Sequence, residues 1–210
     1  MNSKKSQIIF TNNSPFYLVH GKNVTDGEGN PIKVKAVTAL CRCGESTSMP
    51  YCDNQHEKNK LNTKKSDERA PDKWKSYKGE NITIHFNLGL CCHVASCIKG
   101  LPSVFNVDER PWINADGGTT EEIIQIISKC PSGALTYTKD GRFYSDFEKD
   151  IHIKIMKNGP IVVSGAVELI DDLESMQELK ARKRYTLCRC NNSKNKPFCD
   201  GSHIPKHEEN

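Results

Sequence analysis

One pattern of cysteines and histidine occurs at both ends of this chain, and no other feature constrains the fold as much. Residues 188–203 read Cys188-x-Cys190-x-x-Ser193-x-x-x-Pro197-x-Cys199-Asp200-Gly201-Ser202-His203. Residues 41–56 read Cys41-x-Cys43-x-x-Ser46-x-x-x-Pro50-x-Cys52-Asp53-Asn54-Gln55-His56. The repeat extends upstream: Asn13-Ser14-Pro15-Phe16-Tyr17-Leu18-Val19 answers Asn158-Gly159-Pro160-Ile161-Val162-Val163-Ser164. Each copy has short strand-like runs and a turn (Asp26-Gly27, Asn158-Gly159) before its cysteines. Three thiols and an imidazole per copy are four metal donors, which suit either zinc or an iron–sulfur centre.

Composition says why such staples are needed. Of the 210 residues, 36% are hydrophobic and 7% aromatic, against roughly 45–50% apolar residues in ordinary domains. A single large core is not expected, and small modules of this kind depend on metals or disulfides. No leader is recognisable, because Met1 to Gln7 is polar and the next apolar run, Ile8 to Phe10, is short. No stretch approaches the roughly 18–20 apolar residues of a membrane span. A cytoplasmic location is expected, where thiols stay reduced and clustered cysteines bind metals. The net charge of +4 is too small to argue for nucleic acid, and no membrane contact is expected.

Between the repeats, the lysine-rich stretch 61–73 reads as a charged linker. A globular segment follows at 74–146. Ile82 to Phe86 alternates as a strand does. Thr119 with Glu122 forms a capping box for a helix whose Ile123, Ile124, Ile126 and Ile127 make one apolar stripe, ending at Cys130-Pro131. Ala134 to Thr138 is a further strand. Trp74, Phe105 and Trp112 read as core. Cys91, Cys97 and Cys130-Pro131 fit the cysteine spacing of bacterial ferredoxins with Val94 in place of one ligand. Three thiolates fit three corners of a cubane, so the centre is 4Fe–4S or 3Fe–4S. Cys92 and His93 are the candidates for a fourth ligand. Cys92 reads as a small buried hydrophobe, and His93 equally as a ligand or as a hydrogen-bond donor to one. His20, His85, His152 and His207 have no cysteine at ligand spacing and read as surface or satisfied histidines. The run Lys180 to Arg184 reads as a solvated face.

The terminal motifs resemble the CDGSH iron–sulfur (mitoNEET-like) family, whose pattern is C-x-C-x-x-(S/T)-x-x-x-P-x-C-D-G-(S/A/T)-H. The second copy fits at every defined position, and the first has Asn54-Gln55 for Gly-Ser. Asn tolerates the left-handed backbone best after glycine, so Asn54 is expected to hold the same turn. The middle, with Cys91-Cys92-His93, Leu101-Pro102-Ser103-Val104-Phe105, Arg110-Pro111-Trp112-Ile113 and Cys130-Pro131-Ser132-Gly133-Ala134-Leu135, resembles the divergent 4Fe–4S mono-cluster ferredoxin-type domain. It is also similar to single-cluster 3Fe–4S ferredoxins. The resemblance implies a 2Fe–2S cluster at each end. Cys41 and Cys43, or Cys188 and Cys190, would hold the inner iron; Cys52 and His56, or Cys199 and His203, would hold the outer. It places Asp53 and Asp200 where a helix N-cap would face the cluster, and Ser46 and Ser193 where they reach cluster sulfur. An exposed histidine ligand would couple redox change or cluster release to protonation.

The expected fold class is α+β: three small metal-stapled modules, with mainly-β units at 1–60 and 147–210 and a ferredoxin-like unit at 74–146. The two end units are expected to pack as an intrachain pseudo-dimer. With no phosphate loop, paired-carboxylate pattern or triad order in the sequence, a non-enzymatic electron-transfer protein with an unidentified redox partner protein is expected. The alternatives are a cluster donor or redox/pH sensor, and a zinc-bound structural or interaction module.

Overall fold

The structure is a computed structural model, and it describes residues 5–59, 61–145, 150–165, 167–171 and 183–204. The chain divides into two compact units, residues 1–69 with 148–210 and residues 70–147. The two terminal repeats therefore share one unit.

In that unit the first repeat supplies β1 (Gln7–Phe10), β2 (Phe16–Val19), β3 (Val24–Asp26) and β4 (Val37–Leu40), then a short helix α1 (Gln55–Lys58). The unit's second repeat supplies β9 (His152–Ile155), β10 (Ile161–Ser164), β11 (Glu168–Asp171) and β12 (Arg184–Leu187). The strands form two four-stranded sheets of order β11-β1-β2-β4 and β12-β10-β9-β3. The third strand of each repeat has crossed to the other's sheet. β1 runs parallel to β11, with Ile8 opposite Leu169, and β3 runs parallel to β9, with Thr25 opposite Lys154. All other pairings in these sheets are antiparallel hairpin-type contacts.

The reason is legible strand by strand. Ile8 and Phe10, Phe16 and Leu18, Ile153 and Ile155, Ile161 and Val163 are buried while Ile9, Tyr17, Lys154 and Val162 between them are not, so each strand turns one apolar face inward. These faces meet in a single core that includes Leu40, Leu169, Tyr185, Leu187 and Phe198. Neither repeat could close this core alone, because each lends a strand to the other sheet. Each such side chain contributes about 1.5–3 kcal/mol on burial.

The stretch expected to be a linker is not one. Leu61 is 4% exposed and packs with Cys41 and Cys43. The Asn62 N–H donates to Asn191 Oδ1 (3.2 Å), and the Ser66 N–H donates to the Lys194 carbonyl (2.8 Å). Glu68 pairs with Lys194 at 2.7 Å. Residues 61–69 thus strap both cysteine loops, through Leu61 on the first and through backbone N–H groups and Glu68 on the second. Residues 70–73 belong to the other unit, where the Asn87 amide reaches Asp72.

The second unit is a sheet of order β5-β6-β7-β8, made of β5 (Trp74–Lys78), β6 (Thr83–Asn87), β7 (Leu135–Lys139) and β8 (Arg142–Tyr144). It also holds α2 (Ser96–Gly100) and α3 (Thr120–Ser128). The α3 capping box is complete: Thr119 Oγ1 accepts from the Glu122 N–H, and the Glu122 carboxylate accepts from the Thr119 N–H. Ile123, Ile126 and Ile127 are buried against Ile84, Phe86 and Leu135, while Ile124 is half-buried at the edge of this core. Phe105 is fully buried and Trp112 packs edge-on against Phe86, but Trp74 sits 42% exposed on the edge strand and is not core. His85 bridges Ser76 and Thr138 hydroxyls at 2.8 Å each, so it is a satisfied histidine. Arg184 is buried on β12; residues 180–182 of the run expected to be solvated, and His207, lie outside the described residues. No helix among the described residues is long and apolar enough to cross a membrane.

Candidate metal centres

The cysteine loops begin where β4 and β12 end, and both are folded back by the same bonds. The Cys41 N–H donates to the Pro50 carbonyl, and the Cys52 N–H to the Ala39 carbonyl, at 2.9 Å each. In the other loop the Cys188 N–H donates to Pro197 and the Cys199 N–H to Thr186. The third cysteine is thereby returned alongside the first. The expected roles of four polar residues change. The Ser46 and Ser193 hydroxyls donate to the Tyr51 and Phe198 carbonyls (2.6 and 2.7 Å), so their single protons close the loop and are not aimed at sulfur. Asp53 accepts from the Thr47 N–H and hydroxyl, and Asp200 from the Lys194 N–H, each tying the arms of its loop together. The N-cap of α1 is Asn54, not Asp53, and it makes no side-chain cap bond. Residues 201–204 form a bend and turn. Asn54 does hold the expected turn: its φ is 68° where Gly201 has 82°.

The donors gather in pairs. Cys41 and Cys43 sulfurs are 3.8 Å apart, and Cys52 Sγ is 3.3 Å from His56 Nδ1. Cys188 and Cys190 sulfurs are 3.6 Å apart, and Cys199 Sγ is 3.4 Å from His203 Nδ1. Two thiolates about 2.3 Å from one tetrahedral metal stand about 3.8 Å apart, and a thiolate–imidazole pair stands about 3.6 Å apart. Each pair therefore fits one metal, and each site fits two. Among the described residues, no three His, Cys, Asp or Glu side chains converge on a single-ion position.

The surroundings suit bound cations. Burial pushes the Cys43 thiol up to about 11 and raises Cys52. A thiolate in such a place needs a compensating positive charge. Backbone N–H groups point at the sulfurs and favour the charged form: Asn54 at Cys52 (3.4 Å) and Asn192 at Cys190 (3.5 Å). In the second pair a hydrogen bond shared with Cys188 lowers Cys190 to about 6 and raises Cys188. His203 is half-buried, and desolvation lowers its pKa against the pull of Asp200. His56 is 6% exposed, so the first site's histidine is not the exposed ligand that was expected; α1 folds it inward. The second site opens on a cavity of about 640 Å³ lined by Cys190, Cys199 and His203 together with Gly44, Met49 and Met156.

Residues with no metal-binding pattern bring the two loops together. Gly44 has φ 86°, and a Cβ there would lie 3.1 Å from the Arg189 carbonyl and 3.3 Å from Cys190 Cα. Gly44→Ala is expected to destabilise the unit by about 1–2 kcal/mol from the left-handed backbone alone, with further loss from crowding, readable as a lower midpoint in urea unfolding. Arg42 and Arg189, which the sequence signals only as a Cys-Arg-Cys repeated, are 3% and 9% exposed.

In the middle unit Cys91 follows a 3-10 turn at Leu88–Leu90, Cys97 lies in α2, and Cys130 follows α3. Burial pushes Cys91 up to about 12 and raises Cys97; the charge of Cys130, then Cys92, acts on both. Cys91, Cys97 and Cys130 share one hydrophobic cluster. Cys92 is 4% exposed, while His93 is exposed with φ 54°, its backbone N–H directed at Cys91 sulfur.

Comparison with known proteins agrees with this layout. The family model "Iron-binding zinc finger CDGSH type" matches residues 13–57 and 158–204, and "Divergent 4Fe-4S mono-cluster" matches residues 77–140. The uncharacterized protein YjdI of Escherichia coli (strain K12) is 38% identical over 64 residues, covering 30% of this chain and 84% of that protein. CDGSH iron-sulfur domain-containing protein 1 of Rattus norvegicus is 32% identical over 92 residues, 42% of this chain and 76% of that protein. No solved structure matches. With paired donors in both repeats, and relatives matched over most of their own length, the chain belongs to the CDGSH iron–sulfur family and carries a divergent 4Fe–4S mono-cluster domain between its two CDGSH motifs.

Proposed function

We propose that this protein is a one-electron carrier, not an enzyme, holding three iron–sulfur centres and serving a redox partner protein in the cytoplasm. Cys41, Cys43, Cys52 and His56 hold one 2Fe–2S cluster, and Cys188, Cys190, Cys199 and His203 hold another. Cys91, Cys97 and Cys130 hold a 4Fe–4S or 3Fe–4S centre, with buried Cys92 and exposed His93 the candidates for a fourth corner. The observation that carries the reading is the pairing of donors at 3.3–3.8 Å, two pairs per site. The bound clusters supply reversible one-electron chemistry at iron.

The chain's residues supply the rest. The Cys-x-Cys pairs anchor the buried side of each site. A neutral imidazole in place of a thiolate makes each end site one charge less negative and favours the reduced state, as in Rieske centres. N–H groups directed at the sulfurs do the same by spreading negative charge. The donor reading is supported by one feature, the cavity that opens on Cys190, Cys199 and His203.

Anaerobic purification with iron, zinc and acid-labile sulfide assays tests the proposal. About seven or eight irons per chain are expected (2 + 2 + 3, or 2 + 2 + 4). An EPR signal in the oxidised protein identifies 3Fe–4S; a signal only after dithionite identifies 4Fe–4S. Oxidation by an added acceptor with all iron retained supports the carrier, and iron passing to a chelator or apo-acceptor on oxidation supports the donor. Zinc without sulfide overturns both.

A further inference from the structure

Met49 and Lys196 occupy the same place in the two cysteine loops, each before the proline and three residues before the third cysteine. Their surroundings differ. Met49 is 44% exposed and Lys196 is 4% exposed. The first loop carries a neutral thioether where the second carries a buried ammonium.

The arginines of the two Cys-Arg-Cys motifs are placed differently: Arg189 crosses to the other loop, and Arg42 stays within its own repeat. Arg189 of the second motif places Nη2 3.1 Å from Met49 Sδ in the first loop. Its Nη1 donates to the Met156 carbonyl at 2.9 Å. Arg42 of the first motif lies 4.9 Å over the Phe16 ring and 5.0 Å over the Phe10 ring, and Nη1 donates to the Thr11 carbonyl. Its Nη2 is buried with no partner among the described residues. Burial is the main influence on each group, but Arg42 also feels Cys188 and Asp171, Arg189 feels Cys41, and Lys196 feels Cys188, Cys190 and Asp200 and is opposed by Arg42. Among the described residues, no carboxylate is within ion-pairing distance of Arg42 or Lys196. Buried cations require an anionic partner, and the candidate here is the group held by Cys188, Cys190 and Cys199.

We propose that Lys196 makes the second end site the more oxidising of the two, so that electrons collect there, beside the cavity lined by Cys199 and His203. A reduced cluster is one charge more negative than an oxidised one, and a fixed cation in a buried loop favours it with little screening. The first site has Arg189 but only Met49 at the decisive position. Lys196 is thus a positioning residue for the potential and not a ligand. The inference rests on the reading that both end sites hold 2Fe–2S clusters.

The test is an anaerobic redox titration of the full-length protein followed by EPR, with iron and sulfide assayed in every variant. Two end-site waves are expected in the wild type. K196M should lower the upper wave by about 59 mV or more, a tenfold loss in the reduction equilibrium, and leave the lower one in place. K196R should restore the upper wave, and M49K should raise the lower wave by a smaller amount, because position 49 is 44% exposed and solvent screens a charge there. Should K196M fail to hold its cluster, M49K decides alone, since it adds a charge at an exposed position. Coincident waves in the wild type, or unmoved waves in fully loaded K196M and M49K, overturn the inference. Absence of sulfide at the end sites in the wild type overturns the underlying reading instead.

Discussion

Phe16→Ala is expected to cost about 3–5 kcal/mol of stability, the range for truncating a fully buried phenylalanine. Phe16 is 0% exposed, at the start of β2, opposite Leu40 of β4. Its ring meets Phe10 edge-on at 5.9 Å and carries the Arg42 guanidinium on its face. Truncation removes three things: buried apolar area, an aromatic pair of about 0.5–1.5 kcal/mol, and a π face under a buried cation. The core cannot collapse to fill the gap, because the strands around it are held in register from both repeats. The midpoint of thermal unfolding should fall by on the order of 10 °C, followed by circular dichroism. A loss below about 1 kcal/mol would mean that this ring does not pack in the shared core.

Cys188→Ala is expected to remove the second-site cluster altogether. Cys188 is 3% exposed at the end of β12, and its sulfur lies 3.6 Å from Cys190. With one donor of the inner pair gone, Cys190 alone cannot hold that iron against solvent, and two irons with their sulfides should leave. Iron per chain should fall from about seven or eight to about five or six. The two sheets should persist, because their core is built from Ile8, Phe16, Leu40, Ile153, Ile161, Tyr185 and their neighbours, not from the cysteines. Unchanged iron content would take Cys188 out of the ligand set. Collapse of the far-ultraviolet spectrum would show instead that cluster binding, and not this core, holds the unit together.

The second outcome is the one composition alone implied. With 36% hydrophobic residues, each end read as too small to fold without its metal. What composition cannot reveal is that two small apolar faces are pooled. Strand alternation at Ile8, Phe10, Ile153 and Ile155 was readable, as were the capping box at Thr119 and Glu122 and the left-handed turn at Asn54. All are local: a period of two, a spacing of three, one residue's tolerance of positive φ. The exchange of β3 and β11 was not readable, since no local rule says which sheet a short strand joins. The stretch 61–69 was read as a linker because it is lysine-rich, yet its backbone and Leu61 are spent on both cysteine loops. Ser46 and Ser193 were read as reaching cluster sulfur, and Asp53 and Asp200 as helix N-caps, because spacing gives proximity but not the direction of a hydroxyl proton or carboxylate.

The sequence by itself determined the chemistry of this protein: three cysteines and a histidine at repeated spacing, because metal donors must recur at chain intervals that a tight loop can close. Tertiary structure alone decided how the two sites meet. Gly44 lies against Cys190, Arg189 reaches Met49, and Lys196 is buried where Met49 is exposed. The first two contacts join residues more than a hundred positions apart, and they exist only because burying two apolar faces in one core brings the two repeats together.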